Sequence, residues 1–120
     1  MKIQESAENY LETILMLGKE KGNVRSIDIA TALSFSKPSV SVAMKNLREN
    51  GYILMDKDGY IALTEKGHEI AETIYERHTL LSSFLMYLGV SRETATQDAC
   101  RIEHVISPES FEALKQHVYS

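Results

Sequence analysis

The sequence is most informative first in what it lacks. It holds one cysteine, Cys100, so no internal disulfide can form. That thiol is left as a buried small side chain, a metal ligand, a reactive group or an intermolecular bridge. Two prolines and six glycines, spread singly, give no linker, repeat or low-complexity tract. Long apolar runs are also missing. The most apolar stretch, Leu80 to Val90, is broken by Ser82 and Ser83, and a membrane-spanning helix needs about 20 apolar residues. No membrane association is therefore expected. The opening Met1-Lys2-Ile3-Gln4-Glu5 lacks an apolar signal region, which makes a cytoplasmic location the default. At 25% charged and 43% hydrophobic residues in 120, the chain has the balance of a globular domain or two small lobes, not of a disordered protein.

Charge of one sign is missing locally. The net charge of −4 argues against nucleic-acid binding only until it is divided. Residues 1–66 carry nine Lys/Arg and nine Asp/Glu, whereas residues 67–120 carry four and eight. From Ser34 to Arg48 there are Lys37, Lys45 and Arg48 and no acid at all. A local basic face matters more for phosphate contact than the whole-chain total. The split predicts a contacting half, 1–66, and a sensing or pairing half, 67–120.

Periodicity fills in the elements. Ala7, Tyr10, Leu11, Ile14, Leu15 and Leu17 recur at helical spacing, with Ser6 as N-cap and Gly18 and Gly22 around the end. Ser26 would cap a short second helix with Ile27, Ile29, Ala30 and Leu33 apolar. After the turn Ser34-Phe35-Ser36, Pro38 fits the first turn of a third helix. Val40, Ala43, Met44 and Leu47 form its buried stripe, and Gly51 ends it. Tyr52–Met55 and Tyr60–Leu63 around Asp56-Lys57-Asp58-Gly59 read as a β-hairpin. Thr64 caps a long fourth helix stopped by Gly89. Ser91 caps a fifth through Ala95, Ala99, Ile102 and Ile106, and Ser107-Pro108 opens a sixth. The predicted class is mainly α with a small β-hairpin: a winged helix-turn-helix followed by a helical domain. The plainer alternative is a helical bundle with a decorative hairpin. Leu80, Leu81, Phe84, Leu85, Met86 and Leu88 exceed what a short lobe buries, which predicts a homodimer through the second half. The rival explanation is that they fill the protomer core.

Cys100, Glu103 and His104 stand at i, i+3 and i+4 on the fifth helix, and so share one face. Thiolate, carboxylate and imidazole all bind first-row transition metals. Each residue alone has an ordinary explanation, and helices rich in Glu and His occur without metals. Glu12, between Leu11 and Ile14, lies beside the apolar face of the first helix, where a cation would offset the desolvation of its carboxylate; its plainer reading is an exposed flank. His78, at the end of the periodic part of the fourth helix, reads equally as a half-buried core histidine.

Several stretches together carry a resemblance. They are Ser6-Ala7-Glu8-Asn9-Tyr10-Leu11-Glu12-Thr13-Ile14, Ser39-Val40-Ser41, Leu63-Thr64-Glu65-Lys66-Gly67, Arg77-His78-Thr79-Leu80-Leu81 and Asp98-Ala99-Cys100-Arg101-Ile102-Glu103-His104-Val105-Ile106-Ser107. The chain resembles, over essentially its whole length, the diphtheria toxin repressor family and its manganese-sensing branch. The resemblance implies a metal-dependent, homodimeric transcriptional repressor that is not an enzyme, with double-stranded operator DNA as its partner. It implies that Cys100, Glu103 and His104 match ligands of the iron-sensing members, and Glu12 and His78 ligands of the manganese-sensing members. Asn9 stands where the family has Met or Asp; its amide oxygen is neutral and a weaker donor, with its backbone as the alternative. Ser82 and Thr96 stand where the iron sensors have a carboxylate and an imidazole, so their ancillary site is expected to be lost. The sequence stops after the sixth helix, so a short form without the SH3-like domain is expected.

On that basis Fe(II) or Mn(II) is the expected cofactor, with Co(II), Ni(II) or Zn(II) as substitutes. The thiolate tilts the choice toward Fe(II). Ser36, Pro38, Ser39 and Val42, around the start of the third helix, are expected to face bases. Val42 replaces a polar residue of the iron sensor and suits a thymine methyl. Arg25, Lys37, Ser41, Lys45 and Lys57 are the phosphate candidates, against the plainer reading of each lysine as a solvated charge. Two rivals are a winged-helix regulator sensing redox state or a non-metal ligand, and a metallohydrolase. The second lacks a general base, oxyanion donor or substrate loop.

Overall fold

Capping chemistry sets the element boundaries. The computed structural model describes residues 5–119, so the opening residues 1–4 lie outside it. In chain order the elements are α1 (Glu5–Lys21), α2 (Ser26–Leu33), α3 (Lys37–Glu49), β1 (Ile53–Met55), β2 (Ile61–Leu63), α4 (Glu65–Tyr87), α5 (Arg92–Val105) and α6 (Pro108–Tyr119). The expected order of elements is the one found. The chain divides into two compact units, Met1–Glu72 and Thr73–Ser120. The division falls inside α4 rather than at its start, later than the 66/67 boundary set by charge and pattern.

In the first unit, Ser36 caps α3 by accepting the Ser39 N–H at 3.3 Å, and Thr64 Oγ1 caps α4 by accepting the Gly67 N–H at 3.1 Å. Two expected caps are corrected. Ser6 already lies inside α1, which includes Glu5. Ser26 is the first residue of α2, and Arg25 is the cap. There the third helical residue does the work: Asp28 Oδ2 accepts the Arg25 N–H at 2.9 Å, and Asp28 Oδ1 accepts from Lys21 Nζ at 2.6 Å. The Lys21 hydrogen bond, and after it the Arg25 N–H, hold the Asp28 carboxyl below the usual carboxylate range. Helix α1 runs through Gly18 and ends at Lys21, with Gly22 following at φ +87°.

The β-ribbon pairs antiparallel in the register Ile53↔Leu63, Leu54↔Ala62 and Met55↔Ile61. Ile61 also donates its N–H to the Val24 carbonyl at 2.7 Å, so the chain before α2 braces the ribbon. Gly67 allows α4 to pack on the turn before β1, because a Cβ at that position would run into the Tyr52 carbonyl. The core is built from Leu11, Ile14, Val24, Ile29, Val40, Met44, Leu47 and Ile53. The expected stripe of α3 is the one buried, with Ala43 at its margin. Ile27, expected as an apolar position of α2, is 45% exposed.

The second unit comprises the rest of α4 with α5 and α6. Ser91 Oγ accepts the Thr94 N–H and Ser107 Oγ the Ser110 N–H, so both expected helix starts stand. Gly89, at φ +103°, ends the turn after α4. Ile74, Leu80, Leu81, Ala95, Ala99 and Phe111 are buried. Leu80 and Leu81 therefore belong to the protomer core and not to an exposed patch, as the rival explanation had it. Leu88 of the same predicted set is strongly exposed, as are Tyr87, Val105 and Tyr119 outside it.

Candidate metal centre and DNA-binding face

Helix α5 buries Ala95, Ala99 and Glu103, a run at i, i+4 and i+8 on one face. The third member of this core stripe is a carboxylate with no exposed surface. Burying such a group is costly unless it is paired or neutralised. Glu103 Oε2 lies 2.9 Å from His78 Nδ1 of α4. Glu103 Oε1 makes no hydrogen bond, although His104 Nε2 stands 3.4 Å away. The His104 side chain is 3% exposed. Cys100 lies one turn earlier, and donor atoms of His78, Cys100 and Glu103 come within 4.8 Å of one another. Cys100 itself is exposed, so the centre has an open side.

This donor set fits a divalent first-row metal. It offers imidazole, thiolate and carboxylate together, and one carboxylate oxygen waits in the interior without a hydrogen bond. Of the three residues read from spacing on α5, Cys100 and Glu103 join His78 of α4 in this group, whereas His104 stands outside it and approaches Glu103 Oε1. In the first unit Glu12 is 4% exposed, which removes its plainer reading as an exposed flank. Asn9 is half-buried, and its carbonyl accepts the Thr13 hydroxyl at 2.8 Å. Ser82, expected to mark a lost ancillary site, donates its hydroxyl to the His78 carbonyl at 2.8 Å.

Sequence reasoning missed the role of Arg77, quoted above only as part of a motif. Its Nη1 donates to the carbonyls of Glu103 at 3.1 Å and Ile106 at 3.0 Å. Its guanidinium lies 5.6 Å from the Phe111 ring. The only signal was its place beside His78, since partners so distant in sequence leave no trace in local spacing.

On the first unit, Arg25, Ser36, Lys37, Pro38, Ser39, Ser41, Val42, Lys45 and Lys57 are all exposed. Ser36 spends its hydroxyl on capping and on a 2.8 Å bond to Ser39 Oγ. Val42 is 61% exposed, an uncovered apolar side chain on the outer face of α3. Arg25 stacks at 4.4 Å over Tyr60 beside the ribbon. Lys57 sits in the hairpin turn, whose shape is held by Asp56 Oδ1 accepting the N–H groups of Asp58 and Tyr60.

Comparison with known proteins gives the class. Residues 2–61 match the iron dependent repressor N-terminal DNA binding domain, and residues 64–119 match the iron dependent repressor metal binding and dimerisation domain. The chain belongs to the iron-dependent repressor family, the metal-dependent transcriptional regulators that its motifs resemble; these are regulators and not enzymes. It is 37% identical over 112 residues to the transcriptional regulator MntR of Escherichia coli, covering 93% of this chain and 72% of that protein. It is 40% identical over 102 residues to the HTH-type transcriptional regulator MntR of Geobacillus kaustophilus, covering 85% and 72%. Among solved structures, that of the manganese regulator SloR superposes with a TM-score of 0.83 at 30% identity, covering 99% of this chain and 55% of that one. The chain thus spans only about half the length of that solved relative. No helix among the described residues is long and apolar enough to cross a membrane.

Proposed function

We propose that this chain binds a palindromic operator as a homodimer when Fe(II) or Mn(II) is held by His78, Cys100, Glu103 and His104, and so represses genes of metal homeostasis. The carrying observation is Glu103, a carboxylate at a core position of α5 with one oxygen on His78 and the other without a hydrogen bond. A bound divalent ion would give that second oxygen a partner. The chain's own residues do the rest. His78 brings α4 to the centre, the stripe of Ala95 and Ala99 seats α5, and His104 closes the side next to Glu103. Glu12, by its burial and the family resemblance, and Asn9, by the resemblance alone, are proposed as further donors. Loading favours the dimer whose recognition helices match the half-site spacing, a shift of population rather than a new contact to DNA.

For DNA, Pro38, Ser39 and Val42 are proposed to meet base edges, with Ser36 setting the start of α3. Arg25, Lys37, Ser41, Lys45 and Lys57 are proposed to meet phosphates. The decisive experiment measures operator binding with Mn(II), with Fe(II) under anaerobic conditions, with Zn(II) and with chelator. Glu103→Ala and His104→Ala should abolish the metal-stimulated component while leaving a folded dimer. Binding that ignored chelator in the parent, yet vanished on oxidation of Cys100, would favour the redox-sensing alternative.

A further inference from the structure

Glu103 is gripped at both ends by consecutive residues of α4. His78 Nδ1 stands 2.9 Å from its carboxylate, and Arg77 Nη1 donates to its backbone carbonyl at 3.1 Å. We infer that Arg77 is a positioning residue for the metal centre, fixing the last turn of α5 so that Glu103 presents its carboxylate to His78 before any ion arrives. The inference rests on the ligand set proposed above.

The end of α5 needs such a partner. The last carbonyls of a helix have no intrahelical donor. Here α5 ends at Val105, and the Ser110 N–H that would face the Ile106 carbonyl is spent on Ser107 Oγ. Arg77 supplies the missing donors to Glu103 and, at 3.0 Å, to Ile106. A cation at a helix C-terminus is also favoured by the helix dipole. Side chains one residue apart on a helix diverge by about 100°. The short imidazole and the long guanidinium can therefore reach the two ends of one residue from different directions.

The guanidinium is oriented for α5 and not for its own satisfaction. Its Nε is buried and has no hydrogen-bond partner. What holds the plane is the pair of hydrogen bonds that Nη1 donates to the two carbonyls, and the Phe111 ring of α6, 5.6 Å away. Arg77 thus joins α4, α5 and α6 at the residue that carries the buried carboxylate. Loosening it would let the last turn of α5 fray and the Glu103 carboxylate wander, raising the ordering that metal binding must impose. Partners that orient ligands in this way typically carry 10–100-fold of metal affinity.

The test titrates Co(II) into the parent, Arg77→Lys, Arg77→Leu and Glu103→Ala, following the ligand-field absorption, with circular dichroism and urea unfolding of each metal-free protein. Arg77→Leu should weaken Co(II) binding roughly 10–100-fold and change the band pattern. Arg77→Lys should fall between it and the parent, because an ammonium reaches a carbonyl but lacks the planar fork. A folded Arg77→Leu that kept the parent's affinity and spectrum would overturn the inference, as would a loss of metal-free stability alone. If Arg77→Leu did not fold, Arg77→Lys and Arg77→Gln would decide: parent-like affinity and bands in both overturn it. Equal Co(II) binding by the parent and Glu103→Ala would remove the ligand set, and the inference with it.

Discussion

In the proposed centre, Cys100 is the residue on which metal choice would turn. It is the softest of the proposed donors and the exposed one, whereas Glu103 is buried. A thiolate favours Fe(II), Co(II) or Zn(II) relative to Mn(II), whereas a carboxylate reverses that bias. Cys100→Asp should therefore raise the affinity for Mn(II) relative to Co(II). The parent's Co(II) complex should show a sulfur-to-metal charge-transfer band in the near ultraviolet, and Cys100→Ala should lose it. If Cys100→Ala bound Co(II) and Mn(II) as the parent does, and the parent lacked the band, the cysteine would only pack and the assignment would move to Mn(II). At this scale the sequence was readable where the chemistry is local. Cys100, Glu103 and His104 lie within two turns of one helix, so their spacing alone puts them on one face. His78 is a different case: its place on the fourth helix made it a candidate that read equally as a core histidine, and its bond to Glu103, from α4 to α5, lies beyond local spacing. Arg77 acts through a backbone carbonyl, which no residue type at any spacing announces.

Helix α3 shows what an element-level pattern can carry. Its apolar stripe and its proline were legible, because each depends on a few neighbouring residues, whereas Ser36 was read only as part of a turn and is its cap. The failure at Ser26 has a visible cause. A serine before an apolar run is a permissible cap, but α2 is capped from within by Asp28, which also holds Lys21, and this alternative wins by making two bonds. The outer face of α3 yields a prediction with two arms. Lys45→Ala should weaken binding to every sequence by a similar factor and reduce the magnitude of the salt slope by about 1, since one phosphate contact is lost. Val42→Ala should leave the salt slope unchanged and relax preference at a single base pair. Replacing the thymines of the operator one at a time by deoxyuridine, which removes only the methyl group, should locate that base pair for the parent and find no effect there for Val42→Ala. An unchanged affinity and salt slope in Lys45→Ala, measured from low to moderate salt, would place α3 away from the DNA.

At the scale of the whole molecule, the even charge of the first half and the acidity of the second divide the labour between DNA contact and assembly. The second unit carries the match to a metal binding and dimerisation domain. It also carries Tyr87, Leu88, Val105 and Tyr119, which are 84%, 61%, 73% and 71% exposed. Large apolar side chains left in water on one small unit are what a homodimer would cover. Sedimentation at micromolar concentration should give a dimer, and Leu88→Asp together with Val105→Asp should shift it toward monomer without unfolding the metal-free chain. Dimerisation then sets a demand on the DNA. Two identical protomers related by a two-fold axis read two inverted half-sites, and those half-sites must lie on the same face of the duplex. Inserting about 5 bp between them turns one half-site by half a turn of DNA, and should reduce metal-dependent binding to that of an isolated half-site. Inserting about 10 bp restores the face but stretches the spacing, and should recover little, because a packed dimer has no linker to absorb the distance. The double aspartate variant should bind all three operators equally and weakly. If the parent also tolerated the insertions, its protomers would be reading DNA independently, and metal would have to act within one chain instead of through the spacing of two.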